Sequence, residues 1–259
     1  AYLSKTGLFE NIYVFPAAND AGCSLGAALG LNYLLNPHAE LKPRISSPAF
    51  GCEYTRDQIA AAIEAYGFTA EELSSDELCE RVAADLADNK IILWFQGQDE
   101  FGPRALGRRS FLGNPANRET LVRLNTIKGR EMWRPLAPSV LSEQASSVME
   151  DVEEYGIHRF MLGVATIRKE WRARVPAIVH IDFTARPHLV EKNEDGNYWK
   201  VIHAFYQKTD IPLVCNTSLN VAGQPIVHTP AEVLEIFKTV KEVGTLALGN
   251  FYLTKNKPE

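Results

Sequence analysis

Apolar residues along this chain fall into short runs separated by turn signals, and the runs alternate between two periods. Strand-like runs stand at Ile91–Phe95, Ser139–Leu141, Phe160–Thr166, Ala177–Phe183, Ile211–Cys215 and Leu246–Leu253. Helical patterns lie between them at Arg118–Ile127, Ser142–Glu150, Asn197–Lys208 and Pro230–Val240. The last is the best delimited, with Thr229 as N-cap, Pro230 in the first helical position and Glu232 completing a capping box. Two more capping boxes, Thr55 with Gln58 and Ser74 with Glu77, start helices over Ile59–Tyr66 and Leu78–Ala87. Strands interleaved with helices predict an α/β fold, a mixed and twisted sheet with helices packed on it.

The first fifty residues read differently. A strand-like Ile12–Phe15 is followed by a turn over Pro16–Gly22 and a helix of small and apolar residues over Cys23–Leu35. Asn36–Gly51, with three prolines and several serines, is the linker candidate. A first residue other than Met, followed at once by a strand with no preceding partner, suggests a piece of a longer protein. The organisation expected is a remnant over residues 1–37, a linker with a connecting helix over 38–75, and a main domain over 76–259.

Composition narrows the function classes. The chain has 259 residues, 46% hydrophobic and 23% charged, which suffices for a large core and excludes disorder as the main state. No apolar run approaches the ~18 residues that span a bilayer, and no signal-peptide layout is visible, so the expected location is the cytoplasm, without membrane contact. Four scattered cysteines, Cys23, Cys52, Cys79 and Cys215, read as reduced thiols. The net charge of -5 argues against a general polyanion surface. Local charge points the other way. Phe101–Pro138 carries eight cations (Arg104, Arg108, Arg109, Arg118, Arg123, Lys128, Arg130, Arg134) against two anions (Glu119, Glu131), a balance of 8 − 2 = +6.

Four motifs carry candidate chemistry. In Glu100–Ser110 two glycines and a proline fix the backbone while Arg104, Arg108 and Arg109 emerge together, able to meet one anion in fork geometry. Lys128–Pro138, read as extended, places Lys128, Arg130 and Arg134 on one side. Asn216–Pro225 follows the strand Ile211–Cys215 and offers hydroxyls and carboxamides at its carboxyl end, suited to a phosphate or a planar carbamoyl group. Alternation in the fourth motif puts His180, Asp182, Thr184 and Arg186 on one face. Taken singly, each has an ordinary structural reading: arginines pairing with surface acids, an Asx turn, an edge-strand pair, and Asp20 as a helix N-cap.

Together, GPRALGRRS, KGREMWRPLAPSV, PAIVHIDFTAR and NTSLNVAGQPIVHTP, in this order and at these separations, resemble the carboxyl-terminal domain of the O-carbamoyltransferases of nodulation-factor and antibiotic biosynthesis. The likeness runs from about Asp76 to the end. The earlier VFPAANDAGCSLGAALG resembles the last segment of that family's amino-terminal domain, which has an actin-like fold. A more distant likeness links Lys128-x-Arg130 and Thr217-Ser218-x-Asn220-x-x-Gly223-x-Pro225 to the threonylcarbamoyl-adenylate synthase (YrdC-like) fold. The resemblance implies that the main domain turns carbamoyl phosphate and ATP, with its Mg, into carbamoyl-adenylate. The first domain, holding an iron-type metal and lying mostly upstream of Ala1, would pass the carbamoyl group to a hydroxyl of a small-molecule acceptor.

On this reading Lys128, Arg130 and Ser218 are the catalytic candidates. Arg104, Arg109, Ser110, Arg134, His180, Arg186, Asn216, Thr217 and Asn220 are the substrate- and ATP-binding candidates. Asp20 matches one metal ligand whose partners lie outside the chain. A homodimer is open as the assembly. In the family pattern Asp-Gly-Thr-x-Arg-x-Gln, Phe183 replaces the glycine here and Pro187 and His188 fill the last two places, and a bulky Phe183 should reshape the cleft wall. The non-catalytic alternative is a nucleic-acid-binding module of the same fold. Against it, Phe101, Phe111 and Trp133 are the sole aromatics among the cations and read as core or anchor residues.

Overall fold

Local signals fix the helix starts. In the computed structural model, which describes residues 6–10, 12–38, 47–152, 157–194 and 196–255, the side chains of Thr55, Ser74 and Thr229 each accept the N–H three residues on, and Gln58, Glu77 and Glu232 reach back to close each capping box. The helices are α1 (Asp20–Leu35), α2 (Arg56–Ala65), α3 (Ser75–Ala87), α4 (Arg118–Ile127), the single turn α5 (Ala145–Val148), α6 (Gly196–Thr209) and α7 (Pro230–Thr239). Strands are β1 (Glu71–Glu72), β2 (Ile92–Phe95), β3 (Arg109–Gly113), β4 (Ala137–Leu141), β5 (Met149–Glu150), β6 (Ala165–Ile167), β7 (Thr184–Ala185), β8 (His188–Val190), β9 (Leu213–Ser218), β10 (Thr245–Leu248) and β11 (Phe251–Thr254).

The expected mixed α/β fold is present. Eight strands form one sheet in the order β1-β11-β10-β2-β3-β9-β4-β8, and β5-β6-β7 form a second. The large sheet combines parallel pairs, β10 with β2 and β4 with β8, with antiparallel ones elsewhere. β2 and β10 are buried along their whole length, so their residues read as continuous apolar runs rather than alternating ones. Helices α3 and α6 pack on each other and against β2, β4 and β9, while α7 packs on α2 and against β2 and β10. Residues of α2, expected in the connecting segment, therefore belong to the core, with Ile59 and Ile63 buried.

Several expectations are corrected. Leu246–Leu253 is two antiparallel strands joined at Gly249, whose φ of 56° favours glycine. Ala177–Phe183 forms turns, and only the end of Phe160–Thr166 enters a strand, β6. Ser142–Glu150 holds a short 3-10 turn, α5 and β5 instead of one helix. Residues 12–15 are not paired as a strand, and 39–46 of the linker lie outside the described residues. α1 begins at Asp20, earlier than expected, and buries none of its side chains.

Candidate functional site

The loop before β3 is organised by a carboxylate. Glu100 Oε1 accepts the backbone N–H groups of Leu106 (2.7 Å), Arg108 (2.7 Å) and Arg109 (3.2 Å). Burial pushes this carboxyl above its usual range, and the N–H donors and Arg109 oppose that shift. The wrapped loop brings Gly107, at φ 85°, onto the ring of Tyr198, where an added Cβ would come within 2.2 Å.

The same wrapping sends two candidate site residues inward. Arg109 is fully buried; its guanidinium lies 3.5 Å from the Phe95 ring centroid and donates to the carbonyls of Gln96 and Gly97 at 2.9 Å each. Ser110 is equally buried on β3, its Oγ 3.3 Å from the Gly107 N–H. Both lie outside the cation-lined cleft and support the loop, contrary to the expectation that Arg109 shares an anion with Arg104.

The other ten candidates for catalysis and for substrate or ATP meet in one cleft of about 830 Å³. Arg104 comes from the loop, Lys128, Arg130 and Arg134 from the segment after α4, His180 and Arg186 from the turns around β7, and Asn216, Thr217, Ser218 and Asn220 from the end of β9. Five cations line this space against a single lining carboxylate, Asp182, among the described residues.

The Lys128 segment reaches the cleft by a route different from the extended one expected. Lys128 is the C-cap of α4, its N–H bonded to Leu124 O, and Gly129 turns the chain at φ 56°. Buried Asn125 then anchors the chain beyond that turn. It accepts Arg130 Nε at 2.5 Å and donates to Arg134 O at 2.9 Å. Lys128 Nζ donates to Ser218 O (2.7 Å), Ser218 Oγ (2.9 Å) and Asn220 O (2.9 Å), and also to Asn220 Oδ1. Burial, and secondarily Arg130, lowers its ammonium to about 7. Burial also lowers the guanidinium pKa of Arg130, with Arg134 adding to it, and that of Arg104, with Arg186 adding to it. Arg130 Nη2 and Arg104 Nε are buried and have no hydrogen-bond partner among the described residues.

β9 runs through to Ser218 rather than ending at Cys215, because Asn216, Thr217 and Ser218 pair with Leu112, Phe111 and Ser110 of β3. Ser218 Oγ donates to Asn220 Oδ1 at 2.7 Å, and Asn220 Nδ2 donates to Gln224 O at 2.7 Å, which closes the turn beneath Lys128. The opposite wall is a turn, not the expected strand. Asp182 Oδ1 accepts Thr184 Oγ1 (2.6 Å) and Thr184 N–H (3.1 Å) and meets His180 Nδ1 at 2.9 Å. Those bonds, from Thr184 first and then His180, hold its carboxyl down at about 2. Phe183 sits at φ 65° with its exposed ring under the Arg172 guanidinium at 3.9 Å, and it is not among the residues that line the cleft.

Asp20 is the exposed first residue of α1, and no group of three or more metal-ligating side chains occurs among the described residues. One carboxylate does not by itself hold a transition metal. A second cavity of about 480 Å³, bordered by Glu53, Tyr54, Arg56, Arg108, Glu194 and Tyr198, balances acids against bases and lacks the cation excess of the cleft.

Residues 83–255 match the family described as carbamoyltransferase C-terminus. The chain belongs to that family. This carbamoyltransferase domain is 38% identical over 255 residues to nodulation protein NolNO of Sinorhizobium fredii, covering 98% of this chain and 37% of that protein. It is 36% identical to nodulation protein NolO of Bradyrhizobium diazoefficiens, covering 98% of this chain and 46% of the relative. The chain thus spans less than half the length of these curated relatives. Full-length HypF, solved in a phosphate- and nucleotide-bound form, superposes on 70% of this chain and 26% of its own at a TM-score of 0.47 and 20% identity. A superposition at that level does not define a common fold, and the α/β assignment rests on the strand order above. No helix among the described residues is long and apolar enough to cross a membrane.

Two organising residues carry no clear signal in the sequence. Glu100 opens the first motif with nothing to mark its role, and Asn125 lies inside a helical pattern. The one signal for Asn125 is a polar residue beside Leu124 on the buried side of α4.

Proposed function

We propose that the cleft binds ATP and carbamoyl phosphate and forms carbamoyl-adenylate, and that the intact protein transfers the carbamoyl group to a hydroxyl of a small-molecule acceptor. The observation that carries this reading is a concentrated demand for anion. Arg130 and Arg104, each with a buried N–H group that has no partner among the described residues, line one space with Lys128 and Ser218. Unpaired buried donors of that kind are costly, and phosphate oxygens are the ligand chemistry that satisfies several at once.

The balanced reaction is carbamoyl phosphate plus water giving carbamate and phosphate, then attack of a carbamate oxygen on the α-phosphorus of ATP with pyrophosphate leaving. Negative charge grows on the phosphate oxygens in that step. Lys128 and Arg130 are placed to stabilise it as preorganised donors, and no protein nucleophile is required. Mg would come with the phosphates of ATP, and Asp182, the one carboxylate in the lining among the described residues, would be the side chain to hold it. Trp133, 73% exposed at the rim, offers a flat face to the adenine. The tail that ends in α1 is read as the end of an actin-like transfer domain, and the location as cytoplasmic.

Pyrophosphate release dependent on carbamoyl phosphate tests the reading. Lys128→Ala and Arg130→Ala should each lower it about a hundredfold, on the order of 3 kcal/mol per lost donor. Arg118→Ala, on the exposed face of α4, should leave it unchanged. Equal effects at all three positions would reduce the cations to a generic patch. Binding that falls steeply with salt across many phosphates would instead indicate a nucleic-acid module.

A further inference from the structure

His228 is a half-exposed histidine held from three sides. Its Nδ1 lies 2.6 Å from Asp99 Oδ2, its backbone N–H donates to Glu232 Oε2 at 2.6 Å, and the Tyr54 ring meets it edge-on with centroids 6.4 Å apart. Asp99 is set more deeply. Its side chain is 18% exposed against 47% for His228, and its Oδ1 is buried over Gly51, where an added Cβ would fall 1.9 Å from that oxygen. A carboxylate only accepts, so His228 Nδ1 carries its proton toward Asp99. In the neutral ring the lone pair is then on Nε2, which has no hydrogen bond to any described residue.

The ring borders a space of about 510 Å³ together with Asp99, Glu100, Pro103, Ser218 and Asn220, and no lysine or arginine lines it among the described residues. Pro103, Ser218 and Asn220 also line the cleft, so an annex without cations adjoins a cleft that holds five. An anion belongs in the cleft, whereas a neutral molecule such as water is at no disadvantage in the annex. A base there gains from its surroundings, because Asp99 and Glu232 stabilise the imidazolium that forms when the ring takes a proton. His180, the histidine of the cleft itself, has the opposite setting. It stands among the cations, and its partner Asp182 Oδ1 already accepts two bonds from Thr184.

The reaction proposed above begins by consuming a water, a step that needs a base as well as cations. We infer that His228, oriented by Asp99, is the general base that takes the proton of this water where annex and cleft adjoin. The water oxygen attacks the carbonyl carbon of carbamoyl phosphate as Nε2 takes one proton, and the bond from that carbon to the bridging oxygen breaks, its electron pair leaving on phosphate. The carbamic acid so formed gives its proton to the phosphate. Carbamate, hydrogen phosphate and an imidazolium result, and the imidazolium returns its proton to solvent. Asp99 is a positioning residue. The inference rests on the carbamoyl-adenylate reading and adds the base for its first step.

Pyrophosphate release from ATP, measured on the protein with two donors, separates that step from the rest. Carbamoyl phosphate must first be hydrolysed; carbamate, supplied as freshly dissolved ammonium carbamate, enters after the water has reacted. His228→Gln should lower the ratio of the carbamoyl phosphate rate to the carbamate rate about a hundredfold, the usual worth of a general base. Asp99→Asn should lower the same ratio at least about tenfold. His180→Gln should change both rates by one factor and keep the ratio of the wild type. An unchanged ratio in His228→Gln, or loss of both rates together, would overturn the inference, as would a wild type that uses carbamate alone. A wild type that releases no pyrophosphate with either donor would instead remove the carbamoyl-adenylate reading.

Discussion

Lys128 should make nucleotide binding depend on pH in a window where the ligand itself does not titrate. Its ammonium, ordinarily near 10.5, is held at about 7, chiefly by burial. A phosphate oxygen about 4 Å away restores roughly 4 kcal/mol at an effective dielectric of about 20, which lifts the pKa in the complex by about three units, to roughly 10. Between pH 7 and 10 the complex therefore holds a proton that the free protein lacks. AMP is a suitable probe because a phosphomonoester ionises near pH 6 and is a dianion throughout. Its affinity should fall roughly fiftyfold from pH 7.5 to 9.5 on these values. Calorimetry in two buffers of different ionisation enthalpy should find uptake of about 0.9 proton per AMP at pH 8. Lys128→Arg keeps its charge and should flatten the profile. An affinity that does not change with pH in the wild type, or an equal slope in Lys128→Arg, would refute the assignment of the shift to this residue. Stability has the opposite sign. The folded pKa lies below the unfolded one, so the unfolded chain holds the extra proton between pH 7 and 10.5, and the wild type should gain stability relative to Lys128→Met as pH rises through that window.

Other expectations come from the packing. Gly107→Ala should lose at least about 2 kcal/mol in denaturant unfolding, because a Cβ would fall 2.2 Å from the Tyr198 ring at a positive φ; a loss under 0.5 kcal/mol would mean the loop adjusts freely. Phe183→Gly should leave stability unchanged or raise it by up to about 1 kcal/mol, since relief of a φ of 65° outweighs the loss of the exposed Arg172 contact, and a clear drop in Tm would show the ring to be a structural prop. Glu100→Ala should weaken AMP binding as well as the fold, because three backbone N–H groups lose their acceptor and the loop that presents Arg104 loosens; unchanged AMP affinity would separate the loop from the site.

The elements legible in the sequence were those written in local terms. Each capping box named its helix start because Ser or Thr and the Glu or Gln three residues on satisfy orphan N–H groups without help from the rest of the fold. Runs such as Ile92–Phe95 declared themselves by continuous burial. The misassigned stretches depended on tertiary context. Ala177–Phe183 alternates like a strand, yet Asp182 collects Thr184 and His180 into a turn, a local competition that side-chain carboxylates often win over a ladder. Arg109 and Arg104 were indistinguishable as sequence; Arg109 falls on β3, held under Phe95 and on the Gln96 carbonyl, while Arg104 stays in the loop before it. The cleft was legible for a different reason. Its cations and its hydroxyls sit in separate motifs, and β9, paired with β3 on one side and β4 on the other, brings those motifs together. Lys128, Arg130 and Arg134 arrived there by a helix C-cap and a turn rather than by alternation, so the expected grouping was right and its expected geometry was not. The orientation of Asn216 could not be read at all, since its Nδ2 is held by Ala105 O and Ser139 Oγ, 111 and 77 positions away.

A crystal structure of the protein with 5′-O-sulfamoyladenosine tests the central claim most directly. The account predicts its sulfamoyl group, the stand-in for the α-phosphate and carbamoyl, within hydrogen-bonding distance of Lys128 Nζ, Arg130 Nη2 and Ser218 Oγ in the 830 Å³ cleft. Nucleoside density in the 480 Å³ cavity beside Tyr54 and Arg108, with the cleft unoccupied, would contradict it.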